Sequence, residues 1–286
     1  MSRLDLNHTA LAALAIVASQ ISNCFGAAWS KSLFSAVGPE GIVALRLGFS
    51  ALLLGLLTRV WQLRVDGTGI RDIVAYGLAL GLMNSVAYQA YARIPVGVGM
   101  AIEVTGPLAL VLYHSRRGRD LLWVACMVGG LAMLLIKDSG EGRLDLLGIG
   151  FAFCSAVCWA TYIVFGKRVS NLGSGRVVAA GMLVASLFAV PYGGASVGAT
   201  LLQPKWLALG LAIAILSSAF PFFLQILALR WLPQRVYGLL ASAVPATGAL
   251  MGFLVLGEAL EARQWLGILL VVCASAGSTL AVARHK

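Results

Sequence analysis

Long apolar runs recur along the whole chain and are separated by short polar segments. Each run approaches the ~20 residues that a helix needs to cross the hydrocarbon core of a bilayer. A membrane-spanning β-strand would need only about ten residues of alternating polarity, whereas these runs are apolar on every side, so they are predicted to be helices. Ten membrane-spanning helices are expected, at residues 9–29, 41–57, 73–92, 95–113, 121–136, 146–165, 177–191, 207–229, 236–256 and 265–282.

Composition supports an integral membrane protein. Of the 286 residues, 60% are apolar and 11% are charged, and the mean hydropathy is +0.91. A soluble domain could not keep such a surface solvated. No polar segment is long enough for a separate soluble domain, so the expected fold class is an all-α membrane protein.

The net charge of +10 could indicate a nucleic-acid partner. The basic residues, however, sort by loop instead of forming one patch, and no nucleic acid is expected. Loops rich in Lys and Arg resist translocation, so both termini are predicted to be cytoplasmic. On that assignment the cytoplasmic loops hold Arg3, Arg59, Arg64, Arg71, Arg116, Arg117, Arg119, Lys167, Arg168, Arg176, Arg230, Arg235, Arg284 and Lys286, against Lys31, Arg93, Lys137, Arg143, Lys205 and Arg263 on the other side.

Two stretches of the chain look like copies of each other. "RIPVGVGMAIEVTGPLALVL" and "RWLPQRVYGLLASAVPATGAL" each carry two prolines with the same separation, Pro95 and Pro107 in the first and Pro233 and Pro245 in the second. The sequence therefore predicts two five-helix repeats, at residues 1–140 and 141–286. Because each repeat has an odd number of helices, the second is expected to be inverted, the layout of an alternating-access carrier.

Pro107 and Pro245 are predicted to kink the fourth and ninth helices. Proline lacks a backbone N–H, so Pro107 leaves the carbonyl of Glu103 without its helical partner, and Pro245 does the same to Ala241. Proline kinks are common in membrane helices and often only shape the bundle. Their matched placement favours a central cavity between the repeats.

Glu103 is the most unusual residue of the apolar runs. A carboxylate at mid-bilayer depth costs roughly 2.5–3.5 kcal/mol on insertion scales, so it is expected to have a function. Eight residues into its helix, it lies about 12 Å below the outer edge of the hydrocarbon at about 1.5 Å per residue. Asn84 reaches the same level, and Tyr88 and Tyr91 continue from it as one stripe that is expected to face outward along a vestibule.

Arg46, about 8 Å deep by the same count, is the only basic residue well inside a predicted span. Buried intramembrane charges usually pair, so one interpretation is a structural salt bridge with Glu103. In the second interpretation, Glu103 accepts the ammonium group of a zwitterion and Arg46 clamps its carboxylate. In the third, Glu103 carries a proton that is exchanged for cargo.

Weaker candidates for the cavity lie in the second repeat. Gln225, Tyr237 and Ser242 are expected to line a mirror-image vestibule on the inner side, and Trp159 and Tyr162 lie midway along the sixth helix. Aromatic residues in such helices more often anchor the interface or pack the core.

Several stretches resemble a known group of carriers. "AVPATGALMGFLVLGEALEARQWLGILLVVCASAGS", with "LGE" ending at Glu258, resembles the end of the second repeat in the drug/metabolite transporter superfamily (EamA type). "GPEGIVALRLGFSALLL" and "AIEVTGPLALVL" resemble its branch of bacterial threonine/homoserine exporters and aromatic amino-acid exporters. The resemblance implies ten helices in inverted repeats, a bacterial inner-membrane location, and export of amino acids or other small metabolites. At the outer end of the ninth helix, Glu258 is expected to cap the helix or position the loop.

Other functions are less well supported. An intramembrane enzyme would need a nucleophile with a base or paired acids, yet His8, His114 and His285 lie outside the spans, so no enzymatic activity is expected. An exporter of lipophilic cations is the nearer alternative, although Arg46 would repel such cargo. The repeat layout argues against a passive channel, and no nucleotide-binding loop is present.

The cysteines lie in apolar helices without a His or a third Cys nearby, so neither metal nor cofactor is expected. Amino-acid export by alternating access is the predicted function.

Overall fold

The computed structural model describes residues 3–63, 65–114, 120–135, 145–169, 172, 174–229 and 234–283. Within these ranges the chain is helical with short connections and contains no β-strand. A π-helical turn, Ile215–Ala219, joins α9 to α10. The helices are α1 (Arg3–Ser32), α2 (Phe34–Thr58), α3 (Gly67–Tyr91), α4 (Val96–Glu103), α5 (Thr105–His114), α6 (Asp120–Leu135), α7 (Leu146–Val169), α8 (Ser174–Val197), α9 (Pro204–Ala214), α10 (Phe220–Leu229), α11 (Gln234–Ala241), α12 (Val244–Leu256) and α13 (Ala262–Ala283).

Eight stretches of the described chain are long and apolar enough to cross a membrane, and two shorter apolar helices occupy Val96–Leu110 and Leu121–Leu135. Many of their large apolar side chains face outward, where a bilayer would solvate them. The predicted all-α membrane fold is confirmed.

The end of the predicted seventh span is placed wrongly. The sequence analysis ended that span at Pro191, but α8 continues through Pro191 to Val197. A proline inside a membrane helix is tolerated when neighbouring groups satisfy the backbone that it frees. Proline is therefore a weaker stop signal here than in a soluble helix.

Three of the predicted spans are each divided into two helices, and two of these divisions lie just before Pro107 and Pro245. Val104 separates α4 from α5, and Ser242 with Ala243 separates α11 from α12. In both cases the break lies just before a proline, Pro107 or Pro245, whose missing N–H removes a hydrogen bond from the preceding turn. The π turn in the eighth predicted span has no comparable sequence signal.

One end of the bundle is defined by contacts between α2, α3, α7 and α8. Arg168, near the end of α7, lies 3.8 Å from the carboxylate of Asp72 near the start of α3. Arg176, near the start of α8, donates to the carbonyl of Thr58 at the end of α2, at 3.3 Å. This end is called the N-terminal face, because α1 begins there and ends at the other.

The opposite face is defined by a second set of contacts. Lys31, at the end of α1, forms an ion pair of 2.6 Å with Glu258, which follows α12. Arg93, between α3 and α4, lies 3.7 Å from Asp145, which immediately precedes α7. Helix α1 therefore runs from the N-terminal face to the opposite face, and α7 runs the other way.

The two halves of the chain pack closely against each other. The most extensive contacts join α2 to α8, α3 to α7 and α6 to α13, and α4 packs along α12. At the α4–α12 contact the backbones approach so closely that a Cβ atom on Gly97 would overlap Ala249. Both halves contribute to one buried apolar core, so a cavity at its centre is lined by both.

Candidate functional site

A cavity of about 370 Å³ lies between the two halves. The first half supplies side chains from α1 to α4, and the second supplies side chains from α7, α10, α11 and α12. Tyr162, Gln225 and Tyr237 lie in the parts of their helices nearer the N-terminal face, so the cavity extends from the centre of the bundle toward that face. Five of the predicted site residues line its first-half wall: Arg46, Asn84, Tyr88, Tyr91 and Glu103.

Arg46 is held in place by its neighbours on α3. Its Nη1 donates to Oδ1 of Asn84 and to the hydroxyl of Tyr88, both at 2.9 Å. Its Nη2 reaches the carbonyl of Ser217 in the π turn at 3.5 Å, and its guanidinium lies over the Tyr88 ring, 5.3 Å from the centroid. Nε is buried and has no hydrogen-bond partner among the described residues.

Glu103 is the last residue of α4 and is only 7% exposed. The break at Val104 places its carboxyl group in the cavity at the end of a helical segment. The hydroxyl groups of Tyr91 and Ser155 face this carboxyl group. Oε1 is nevertheless buried without a hydrogen-bond partner in the part of the chain that the structure describes.

Arg46 and Glu103 line the same cavity but do not form an ion pair within 4 Å. The salt-bridge interpretation is therefore wrong for this conformation. The two residues do not pair because Asn84 and Tyr88 accept hydrogen bonds from the guanidinium of Arg46 and hold it toward α3. The cavity thus contains a guanidinium group and a carboxyl group, each with a buried atom that has no hydrogen-bond partner among the described residues.

Asn84, Tyr88 and Tyr91 are buried in the wall of the central cavity. Tyr88 is 1% exposed, and the other two are also buried. Asn84 uses both ends of its amide, because Oδ1 accepts from Arg46 while Nδ2 donates to the carbonyl of Leu80 at 2.8 Å. The stripe that the sequence predicted forms the wall that positions Arg46.

Four predicted residues of the second half line the same cavity. The hydroxyl of Tyr162 accepts from that of Tyr76 at 2.9 Å, and their rings stack at 4.6 Å. Gln225 donates to Ser19 on α1 at 3.0 Å and accepts from Tyr237 at 3.5 Å. Trp159 is half-buried at the cavity wall. The two separate vestibules expected from the sequence are one continuous space.

Ser242 does not line the cavity. It is 2% exposed and lies in the break between α11 and α12, where its N–H donates to the carbonyl of Leu239 at 3.2 Å. Its contribution is to the shape of the broken helix.

The sequence analysis missed two polar residues of α1, Gln20 and Asn23, which line the cavity. Their signal was available, since two amides three residues apart in an apolar run lie on one helix face. The contact of the Ser217 carbonyl with Arg46 was also missed, because that carbonyl lies in the π turn, which the apolar pattern does not reveal.

Two larger hollows lie on the outer surface of the bundle. One, of about 450 Å³, lies between α5 and α7, and the other, of about 670 Å³, lies between α2 and the α8–α9 region. Neither is lined by a charged residue. They fit lipid chains better than a polar ligand, so the central cavity is the candidate site.

A cluster of polar contacts around Glu258 lies on the opposite face. Glu258 accepts from the ammonium group of Lys31 at 2.6 Å and from the backbone N–H of Val96 at 2.9 Å. Lys31 also donates to the carbonyl of Ile94 at 2.9 Å. Glu258 was expected to act within its own loop, but it joins the ends of α1 and α12 to the start of α4.

Comparisons with known proteins identify the family. The EamA-like transporter family matches residues 146–280. The threonine/homoserine exporter RhtA of Escherichia coli K12 is 40% identical over 261 residues, which are 91% of this chain and 88% of the relative. RhtA of Salmonella typhimurium LT2 is also 40% identical, over the same shares of both chains. The chain belongs to the EamA-like transporter family.

More distant matches agree with this assignment. The uncharacterized transporter YwfM of Bacillus subtilis is 24% identical over 83% of this chain and 84% of its own. A solved crystal structure, 19% identical over 96% of this chain and 98% of the other, superposes with a TM-score of 0.63 and so shares the fold. The predicted drug/metabolite transporter resemblance is confirmed, and the protein is a multi-pass inner-membrane transporter, not an enzyme.

Proposed function

We propose that this protein exports threonine, homoserine and related amino acids from the bacterial cytoplasm by alternating access. RhtA, at 40% identity over most of both chains, supports the substrate class. The observation that carries the proposal is the presence of Arg46 and Glu103 in one cavity, each with a buried polar atom that lacks a partner in the described part of the chain. A burial so costly is consistent with groups that are completed by cargo.

An amino acid would complete both groups. Its carboxylate pairs with the guanidinium of Arg46, whose position Asn84 and Tyr88 hold before cargo arrives, and its ammonium group pairs with Oε1 of Glu103. Charge-assisted hydrogen bonds of this kind are about twice as strong as neutral ones. A lipophilic cation would satisfy Glu103 only and would be repelled by Arg46.

Two inverted five-helix repeats, at residues 1–140 and 141–286, fit the way in which the helices run and pack. Helices α1 and α7 begin the two repeats and run in opposite directions. The contacts of α2 with α8, α4 with α12, and α6 with α13 join the second, fourth and fifth spans of one repeat to the corresponding spans of the other. The fourth span of the first repeat and the corresponding span of the second are each divided just before a proline.

The proposed orientation of the cavity rests on the charge distribution. With both termini in the cytoplasm, the N-terminal face is cytoplasmic and the cavity extends toward the cytoplasm. The cluster of Lys31 and Glu258 then closes the outer side. In the proposed cycle, cargo binds from the cytoplasm and the two halves rock about the cavity. The ties of Glu258 to Lys31 and Val96 break as the outer side opens.

Counterflow of labelled threonine into proteoliposomes tests the proposal. Wild-type protein is expected to exchange labelled for unlabelled threonine. Glu103→Gln and Arg46→Gln are expected to reduce the exchange roughly 10- to 100-fold, since hydrogen bonds to charged groups contribute about 1.5–3 kcal/mol.

The matched controls are Asp72→Asn and Arg168→Gln, which remove the same charges from the N-terminal face. Both controls should exchange threonine at close to the wild-type rate. Wild-type rates in both cavity variants would refute the assigned site. Transport of a lipophilic cation with no exchange of amino acids would refute the assigned substrate class.

A further inference from the structure

The cavity wall formed by α1 has a regular pattern. Ile16, Gln20, Asn23, Cys24 and Ala27 line the cavity, at the spacing of one helix face. Three of these side chains are apolar or weakly polar, and two are neutral amides. The wall facing the charged groups therefore has a neutral hydrogen-bonding patch.

Neither amide has a hydrogen-bond partner in the described ranges, and both are only partly buried. The other two amides of the cavity already have partners. Asn84 accepts from Arg46 and donates to the carbonyl of Leu80, and Gln225 donates to Ser19 and accepts from Tyr237. Gln20 and Asn23 are thus the amides of the cavity that are free to meet cargo.

The chemistry of a primary amide suits a hydroxyl group. The amide offers a carbonyl oxygen that accepts and an NH₂ group that donates, and a hydroxyl group donates one hydrogen bond and accepts others. The charged groups of the cavity are better matched to the ammonium and carboxylate that all amino acids share. Recognition of the side chain falls to neutral groups.

We propose that Gln20 and Asn23 determine specificity by binding the side-chain hydroxyl group of the cargo, an inference that rests on the proposed amino-acid export. Threonine and homoserine carry that hydroxyl on neighbouring carbons. Both have the carbon skeleton of 2-aminobutyrate, which lacks the hydroxyl. Two amides one helical turn apart can serve the two hydroxyl positions. A site that hydrogen-bonds a hydroxyl disfavours the analogue that lacks it.

Competition in the counterflow assay tests the inference. Unlabelled threonine, homoserine and 2-aminobutyrate are compared for half-maximal inhibition of labelled threonine exchange. In wild type, the concentration for half-maximal inhibition is expected to be about tenfold higher for 2-aminobutyrate than for either hydroxylated amino acid. This factor corresponds to one or two added hydrogen bonds. In Gln20→Leu/Asn23→Leu, that ratio is expected to fall to about one, while 2-aminobutyrate still competes as in wild type.

Gln203→Leu removes an exposed amide away from the cavity and should keep the wild-type ratio. Asn23→Gln keeps the amide and should retain part of the preference. The inference is overturned if the double variant keeps the tenfold ratio, or if it weakens all three competitors equally, as lost packing would. Absence of any threonine exchange in wild type overturns the proposed export together with this inference, whereas exchange without a wild-type hydroxyl preference overturns this inference alone.

Discussion

The two helices that are broken near Pro107 and Pro245 have the same kind of backbone break but carry different side chains at it. In α4–α5 and α11–α12 the chain leaves the helix just before a proline, and the residue four positions before that proline loses its helical hydrogen bond. In the first half that residue is Glu103, and in the second half it is Ala241. Both line the cavity.

This difference separates two functions of the same motif. The break is present in both halves, so it fits a part of the fold that has to bend when the halves rock. The charge is present in one half, so it fits a part that binds cargo. Arg46 and its partner Asn84 also belong to the first half, and the second half contributes aromatic and amide side chains. Binding is expected to be asymmetric in a nearly symmetric framework.

Moving the carboxylate tests that asymmetry and should have the largest effect. Glu103→Gln is expected to lower threonine exchange up to about 100-fold, because a charge-assisted bond is lost. Glu103→Gln/Ala241→Glu restores one carboxylate to the cavity, but on the helix that does not face the partners of Arg46. We expect no recovery of exchange in this double variant, measured by threonine counterflow. Recovery to wild-type rates would mean that the half carrying the charge is unimportant.

Removing each proline tests what the two breaks have in common. Pro107→Ala and Pro245→Ala supply the missing N–H and favour a continuous helix. Both are expected to slow exchange by a similar factor, about tenfold, since a helix hydrogen bond contributes about 1 kcal/mol and two or more must be remade at each break. Pro191→Ala, in the uninterrupted α8, is the matched control and should exchange threonine normally. A large effect of Pro107→Ala with none of Pro245→Ala would contradict a shared mechanical function.

Releasing the connection between the two broken helices should have the smallest effect. Glu258 follows α12 and accepts the first N–H of α4, besides pairing with Lys31. Glu258→Gln keeps the shape and removes the charge. A partly exposed ion pair contributes up to about 1 kcal/mol, so outer opening should become about fivefold more frequent.

That opening can be measured through Cys24, which lines the cavity. In a variant whose other four cysteines are alanine, Glu258→Gln should speed labelling of Cys24 by a membrane-impermeant thiol reagent added from outside. Glu261→Gln, which removes another carboxylate from the same face, is the control. Equal labelling rates in the two variants would argue against a closing function for Glu258.

The sequence predicted the helices well because a span that crosses lipid needs a long, continuous run of apolar residues. It also predicted the breaks, because proline has a local and unavoidable consequence for backbone hydrogen bonding. One of its three interpretations, an ion pair between Arg46 and Glu103, is not found in the structure. Depth alone brought Arg46 and Glu103 together, whereas rotation of α2 about its axis turns Arg46 toward Asn84 and Tyr88. Such rotations, like the π turn at Ser217, are set by packing between distant segments and leave no local pattern.

The most direct test of the account is whether Arg46 and Glu103 bind the opposite ends of one amino acid. Binding to the purified protein is compared for threonine, for threoninol, which lacks the carboxylate, and for 2,3-dihydroxybutyrate, which lacks the ammonium group. Wild type should bind threonine best. Arg46→Gln should lose the preference over threoninol and keep the preference over 2,3-dihydroxybutyrate, and Glu103→Gln should do the reverse. If both variants weaken all three ligands by the same factor, the two residues do not divide the charges of the cargo and the account is wrong.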